Sequence, residues 1–318
     1  MSSDPFVPAL DATAVAEAKW LTEVLLGNPH CDNFRKLKKF CDEIHAAGFL
    51  HPPRSPPPTA SQLTEWAKNT YLMLRAMNRG SEHPYGFSYR VSRFLDIGSN
   101  PGGFAQFILQ HSNARGVGVS LPIDSGGIGC AIPPNERFEL HELDILDLVS
   151  SYLSSRVLPF TCDKFDLIIL DANPFCPRIL LAQLLLALYT IYNGGQILLT
   201  LSCIERPFTA RIVLALKRIA YNITTSKPPQ ASSGIFYIHA QAVRVDTPAY
   251  RKLKDNLTRL WNQTHTTDTR EPTWEEQDLI TLWDEVMKKS NTNLIAKLGN
   301  PLWETQLTAL NRVFNQTD

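Results

Sequence analysis

The run "FLDIGSNPGGFAQFIL", Phe94 to Leu109, constrains the fold of this chain more than any other stretch. It passes from an apolar segment to an acid, through a glycine-rich turn, and into a second apolar segment with helical spacing. A strand that ends in an acid and turns through glycines into a helix is the ligand-binding unit of an open α/β sheet. The crevice beyond the carboxyl end of such a strand is where ligands bind. Glycine allows close backbone approach and positive φ in that turn.

The surrounding pattern agrees. From about 90 to 245, short apolar runs alternate with helical segments. "SRFLDIG", "RGVGVSL", "RFELHEL", "FDLIILD" and "GGQILLTLS" read as strands, and "GGFAQFILQH", "DILDLVSSYL" and "PRILLAQLLLALYTIY" as intervening helices. Near-continuous apolar strands separated by helices imply a parallel sheet covered on both faces. After "PFTARIVLALKRIA", the runs "YNITTS" and "GIFYIHAQAV" are joined by a loop, which predicts an antiparallel hairpin at the sheet edge. We therefore expect three parts: a helical extension over 1–85, an α/β domain over 86–245, and a helical extension over 246–318. In the first part Asp11 caps a helix ending at Gly27, a second helix ends at Gly48, and "HPPRSPPPTAS" is a stiff connection. Thr59 or Ser61 caps the helix that follows.

The chain has 318 residues and is 44% hydrophobic, enough for a large core. Lys+Arg and Asp+Glu both number 31, which argues against binding long nucleic acid through bulk charge and leaves room for a local basic patch. No basic segment followed by an apolar run opens the sequence, so no signal peptide is expected. The most apolar stretch, "ILLAQLLLALYTIY", is too short to span a membrane. Six cysteines lie scattered without paired spacing or neighbouring His clusters, the pattern of reduced thiols rather than a zinc site. Together these features point to an intracellular protein, cytoplasmic or nuclear, without a metal.

A dinucleotide site would show G-x-G-x-x-G and an acid ending the second strand. Here the glycine spacing differs and "RGVGVSL" ends without Asp or Glu, so a nicotinamide cofactor is disfavoured. The stretch "DIGSNPGGFAQFIL" instead resembles motif I of S-adenosylmethionine-dependent methyltransferases. More narrowly, it is similar to the D-x-G-x-x-P-G-G-[FW] signature of the FtsJ-like family, which includes ribosomal RNA and cap ribose 2′-O-methyltransferases. The similarity runs from near Ser92 to near Val243. It implies a Rossmann-like class I methyltransferase sheet, mostly parallel with an antiparallel edge hairpin, and S-adenosyl-L-methionine as cofactor. It also implies that Asp96, Gly98, Ser99, Asn100, Pro101, Gly102, Gly103 and Phe104 hold that cofactor, with Ser120 and Leu121 after the second strand. Asp144 and Ile145 after the third strand then meet the adenine, and Asp171 after the fourth faces the transferred methyl group. Asp144 is equally placed to cap the helix "DILDLVSSYL".

Active members of the family carry a Lys-Asp-Lys-Glu tetrad in which a lysine deprotonates the ribose hydroxyl. A lysine with an ordinary pKa of about 10.4 must be depressed to act so. In this chain Asp171 stands at the aspartate position, but Thr200 stands at the central lysine and Ile235 at the glutamate. Arg75 and Lys68 are the only basic residues of the helix region before motif I that approach the first lysine position, and neither aligns with it. Threonine is no base, and isoleucine accepts no hydrogen bond. Three readings remain open at this stage. The first is a methyltransferase with other acid–base chemistry, using Asp171 and drawing on His239 or Glu205. The second is a pseudoenzyme that binds cofactor or a protein partner. The third is an RNA-binding module using the basic edge Arg206, Arg211, Lys217, Arg218 and Lys227.

Overall fold

The computed structural model describes residues 12–46, 59–80, 85–228, 231–263 and 271–314. Asp11, Gly48 and the proline-rich connection up to 58 lie outside the described residues. Three helices come first: α1 (Ala12–Leu26), α2 (Asp32–Ala46) and α3 (Ala60–Arg79). Thr59 caps α3 with a capping box, its hydroxyl accepting from the Gln62 amide while the Gln62 side chain accepts from the Thr59 amide.

Then the alternation predicted from the apolar runs appears: β1 (Arg93–Ile97), α4 (Gly103–His111), β2 (Arg115–Ser120), β3 (Phe138–Glu142), α5 (Ile145–Ser155), β4 (Phe165–Leu170), α6 (Pro177–Thr190), β5 (Ile191–Ser202), α7 (Pro207–Ile219), β6 (Ala220–Ser226) and β7 (Ile235–Val243). The strand order is β3-β2-β1-β4-β5-β7-β6. All neighbours are parallel except those of β7, which runs antiparallel to both β5 and β6. The chain reverses direction across the sheet between β1 and β4, and that switch point opens a crevice beyond their carboxyl ends. Asp96 is the next-to-last residue of β1 and Asp171 directly follows β4, so both acids stand at the crevice.

Alternate strand residues face opposite layers. Phe94, Leu167, Ile169, Leu198 and Tyr237 pack under α3 and α4. Leu95, Ile97, Ile168, Leu170, Leu199 and Ile238 point into the larger core beneath α5, α6 and α7. The "ILLAQLLLALYT" segment is buried as α6 in that core. Among the described residues no helix is long and apolar enough to cross a membrane.

The C-terminal part forms α8 (Pro248–Gln263), two single turns α9 (Trp274–Gln277) and α10 (Trp283–Val286), and the long α11 (Lys289–Phe314). These helices do not stand apart from the N-terminal ones. Phe34 of α2 packs on Trp303 of α11 with ring centroids 4.7 Å apart, and the Asn28 amide donates to Asn293 Oδ1 at 2.9 Å. The two ends of the chain thus share one helical layer, while α3 lies separately over α4.

Candidate active site

The turn from β1 into α4 is held tightly. The amides of Gly98 and Ser99 both donate to the Val119 carbonyl, at 2.8 and 3.2 Å, tying the turn to the end of β2. Gly98 has φ +78, and a Cβ there would lie 2.6 Å from the Ala172 nitrogen, so the exit of β4 passes directly against it. Gly102 has φ +108, a conformation that side chains disfavour. At Gly103 a Cβ would meet the Ala67 carbonyl oxygen at 2.0 Å, because α3 crosses α4 at this point. Glycines chosen in sequence for ligand approach therefore also admit the chain's own backbone.

The segment after β2 folds back over the turn. Asn100 Nδ2 donates to the Ile128 carbonyl at 2.5 Å, the Ala131 amide donates to the Pro101 carbonyl at 2.9 Å, and the Ile132 side chain sits against Gly102. Ser120 is buried at the end of β2, and Leu121 is partly exposed beside it. Asp144 caps α5 by accepting from the Leu146 amide at 2.8 Å, and Ile145 is buried beneath that first turn.

Polar groups at the turn are left without partners. Asp96 is fully buried, and neither carboxylate oxygen finds a well-aligned donor, although the Ala105 amide leans towards it. Ser99 Oγ and Asn100 Oδ1 are likewise buried and unpaired. A buried unsatisfied acceptor costs about 1–3 kcal/mol. Clustered acceptors on one crevice fit a ligand bearing an ammonium group and hydroxyls, which S-adenosylmethionine does. Burial, and then the charge of Asp171, hold the Asp96 carboxyl well above the usual carboxylate range.

Asp171 has its own cluster. The Thr200 hydroxyl donates to Asp171 Oδ1, and the Tyr237 phenol lies against the same carboxylate. The strand register explains this: Thr200 pairs with Tyr237 across β5 and β7, whereas Ile235 pairs with Ser202 two residues nearer the loop. Tyr237 is set by Phe104, whose ring meets it edge-on at 5.6 Å. Sequence comparison passed over Tyr237. The signal is the two-residue period of β7, which puts Tyr237 on the same face as Ile235 and two residues further in. Burial raises the Asp171 pKa to about 6, with the Thr200 and Tyr237 hydrogen bonds opposing it. The Tyr237 hydroxyl is raised well above its ordinary value, by burial first and by Asp171 second.

The other sequence candidates fall elsewhere. His239 pairs with Leu198, two residues along β7 from Tyr237, and is enclosed by Gln196 Oε1 at 2.9 Å, Gln241 Nε2 at 3.2 Å and the Phe87 ring. Burial lowers its pKa to about 4. Glu205 accepts from Trp303 Nε1 at 3.0 Å and so anchors α11 to the loop after β5. Lys68 is exposed and Arg75 half-buried on α3.

The expected basic edge needs correction. Arg211 is wholly buried, Lys227 is 9% exposed with its ammonium on the Ser233 and Ile235 carbonyls, and neither can reach a phosphate. Arg206 pairs with Glu271, and Arg218 with Glu285 at 3.7 Å. Lys217 and Arg218 lie in the last turn of α7, at the end of that helix remote from the β5 exit. Charge that looked continuous in sequence is divided because α7 turns most of its length into the core. All six cysteines are free thiols, and among the described residues no group of side chains is disposed to hold a metal ion.

Strand order, crevice and paired acids together define a Rossmann-like class I methyltransferase fold. The model of the FtsJ-like methyltransferase family matches residues 79–239, half of the chain, and the protein belongs to that family, whose cofactor is S-adenosyl-L-methionine. A search of the curated proteins finds no match. Among solved structures the chain is similar to the N-methyltransferase NodS from Bradyrhizobium japonicum WM9 at 15% identity, covering 57% of this chain and 97% of that one, with a TM-score of 0.39. It is similar to human methyltransferase-like protein 13 in complex with SAH at 14% identity, covering 66% and 96%, with a TM-score of 0.37. Fibrillarin from Aeropyrum pernix, with natively bound S-adenosyl-L-methionine, matches at 14% identity, covering 54% and 76%, with a TM-score of 0.38.

The raised Asp171 pKa has a consequence for stability. A carboxyl that titrates near 6 when folded and near 3.8 when unfolded stabilises the fold below about 4. That contribution is lost as pH rises through 6. Replacing Asp171 by Asn is expected to raise the melting temperature at pH 7.5 and to raise it much less at pH 4.5. His239 titrates in the opposite sense but is common to both proteins, so the difference between their melting curves isolates Asp171.

Proposed function

We propose that this chain binds S-adenosyl-L-methionine at the turn Asp96–Phe104 and acts on RNA without lysine-driven ribose 2′-O transfer. The observation that carries the reading is the cluster of buried, unpartnered polar atoms on Asp96, Ser99 and Asn100 at the switch point of the sheet. An ammonium and hydroxyl groups supplied by the cofactor would satisfy acceptors that the protein leaves open. Ser120, Leu121, Asp144 and Ile145 would then border the rest of the cofactor from the ends of β2 and β3. When bound, the cofactor supplies an activated methyl group on sulfur.

Where active relatives place the central lysine, Thr200 donates its hydroxyl to Asp171. The group available to take a proton is the Asp171 carboxylate, ionised above about pH 6. Such a base suits an acceptor more acidic or more nucleophilic than a ribose hydroxyl, with orientation against the methyl group lowering the rest of the barrier. Tyr237 holds that carboxylate in place.

Calorimetry with S-adenosylmethionine and its demethylated product tests the pocket, and absence of heat with both rejects the cofactor assignment. Radiolabelled methyl transfer to pooled RNA, protein and small molecules tests turnover. We expect label in RNA, rising as pH passes 6 and lost in Asp171→Ala. Label that persists in Asp171→Ala would remove Asp171 from the reaction. A second reading is favoured by one feature: Thr200 and Tyr237 both engage Asp171 and leave it little capacity for an acceptor. Cofactor binding with no transfer to any pool would establish that reading, a pseudoenzyme serving as a binding module.

A further inference from the structure

Apart from the crevice at Asp171, three tryptophans border one cleft of about 420 Å³. Trp20 comes from α1, Trp274 from α9 and Trp283 from α10, and Leu282 completes the apolar lining. Trp20 is 54% exposed, Trp274 37% and Leu282 55%, so the aromatic surface is open to solvent. The rings of Trp20 and Trp283 meet at 62° with centroids 6.2 Å apart, forming two adjacent walls rather than a stack.

Two of the three tryptophans are held in place. The Trp283 amide donates to Asp278 Oδ1 at 2.9 Å, and the Arg211 guanidinium sits 5.0 Å from the Trp283 ring centre. Trp274 opens a turn capped by Thr273 through a capping box. The charge around the cleft is negative. Glu17, Asp278 and Asp284 line it, and no basic residue does. Arg211 bonds to both Glu17 and Asp278, so among the described residues at the cleft acid exceeds base.

We infer that this cleft is a binding site for a methylated ammonium group, presented as a trimethylated lysine side chain of a protein partner. Aromatic faces attract a cation through the ring quadrupole, and several faces around one cavity favour a cation clothed in methyl groups. A bare lysine ammonium is strongly hydrated and gives up more water to enter such a cleft. The acidic rim decides between sources of the same chemistry. A choline headgroup brings a phosphate that Glu17, Asp278 and Asp284 repel, whereas a peptide backbone is neutral there. The inference does not depend on the methyl-transfer reading, because no residue of the cleft belongs to the crevice at Asp96 and Asp171.

Tryptophan fluorescence and calorimetry of the full chain test it. The probes are N-acetyl-trimethyllysine methylamide, the unmethylated amide, and a neutral isostere with carbon in place of the charged nitrogen. Saturable binding of the trimethylated amide is expected, about tenfold or more tighter than the isostere. Trp20→Ala should abolish that binding, Asp284→Asn should weaken it, and Trp66→Ala, an exposed tryptophan outside the cleft, should leave it unchanged. Thermal melting reports whether each variant folds, and if Trp20→Ala does not, Asp284→Asn and Trp274→Phe carry the test. Equal binding of the isostere, no saturation, or binding unchanged in the folded cleft variants would overturn the site. Tighter binding to phosphatidylcholine vesicles than to the amide would overturn the peptide assignment.

Discussion

Adding one methyl group at Gly103 is expected to pry α3 from α4 and destabilise the fold by roughly 3 kcal/mol or more. The new Cβ would lie 2.0 Å from the Ala67 carbonyl oxygen, 2.1 Å from Thr70 Oγ1 and 2.8 Å from the Tyr71 nitrogen. Two of those are backbone atoms of a helix, so no rotamer change relieves the overlap. Either α3 moves as a body or the turn that precedes α4 distorts. Both outcomes disturb Asn100, Pro101 and Gly102, and under the proposed function both weaken S-adenosylmethionine binding. Urea unfolding of Gly103→Ala measures the first effect and calorimetry the second. Gly129→Ala serves as control, because its Cβ would meet nothing within 4 Å and the change should be close to neutral. If Gly103→Ala unfolds at the same urea concentration as the parent, α3 and α4 are not locked together at this crossing.

Arg211→Met is the second large effect. Its guanidinium has no solvent exposure and binds Glu17 through both terminal nitrogens at 2.9 Å, Asp278 at 3.0 Å and the Thr281 carbonyl at 3.0 Å. Removing one partner of a buried ion cluster leaves the others charged and unpaired, at a cost of about 3–5 kcal/mol. The double variant Arg211→Met with Glu17→Met should recover part of that loss, since it removes the stranded carboxylate as well. Chemical denaturation of the three proteins measures the coupling. A loss below about 1 kcal/mol in the single variant would mean that water reaches the cluster. Because Arg211 joins α7 to α1 and to the 277–281 segment, the single variant should also alter the fluorescence of Trp20 and Trp283.

Much of the fold was legible because its signals are local. Strands β1 to β5 are short apolar runs, the helices between them carry apolar residues at helical spacing, and Thr59 sits three residues before Gln62 as a capping box requires. The hairpin of β6 and β7 was readable from a missing helix. The turn at Asp96 was readable because acid and glycines all fall between positions 96 and 103. Tyr237 was not, since its role depends on which residue of β5 it faces. Ile235 lies two residues nearer the loop than the residue that faces Thr200. The basic edge was misjudged for a related reason. Arg211, Arg218 and Lys227 look alike in sequence, and only packing tells a buried guanidinium from an exposed one.

The sequence by itself therefore determined the α/β alternation, the glycine turn after β1, the family, and the presence of Thr200 on β5 and Ile235 on β7. Hydrophobic period, glycine position and residue identity act over a few residues, so one chain displays them directly. Tertiary structure decided which side chains meet Asp171, where the cations point, and which tryptophans meet. Glu17 reaches Arg211 across 194 positions of sequence and Thr200 reaches Asp171 across 29, and such pairings exist only once strand register and helix packing bring distant residues together.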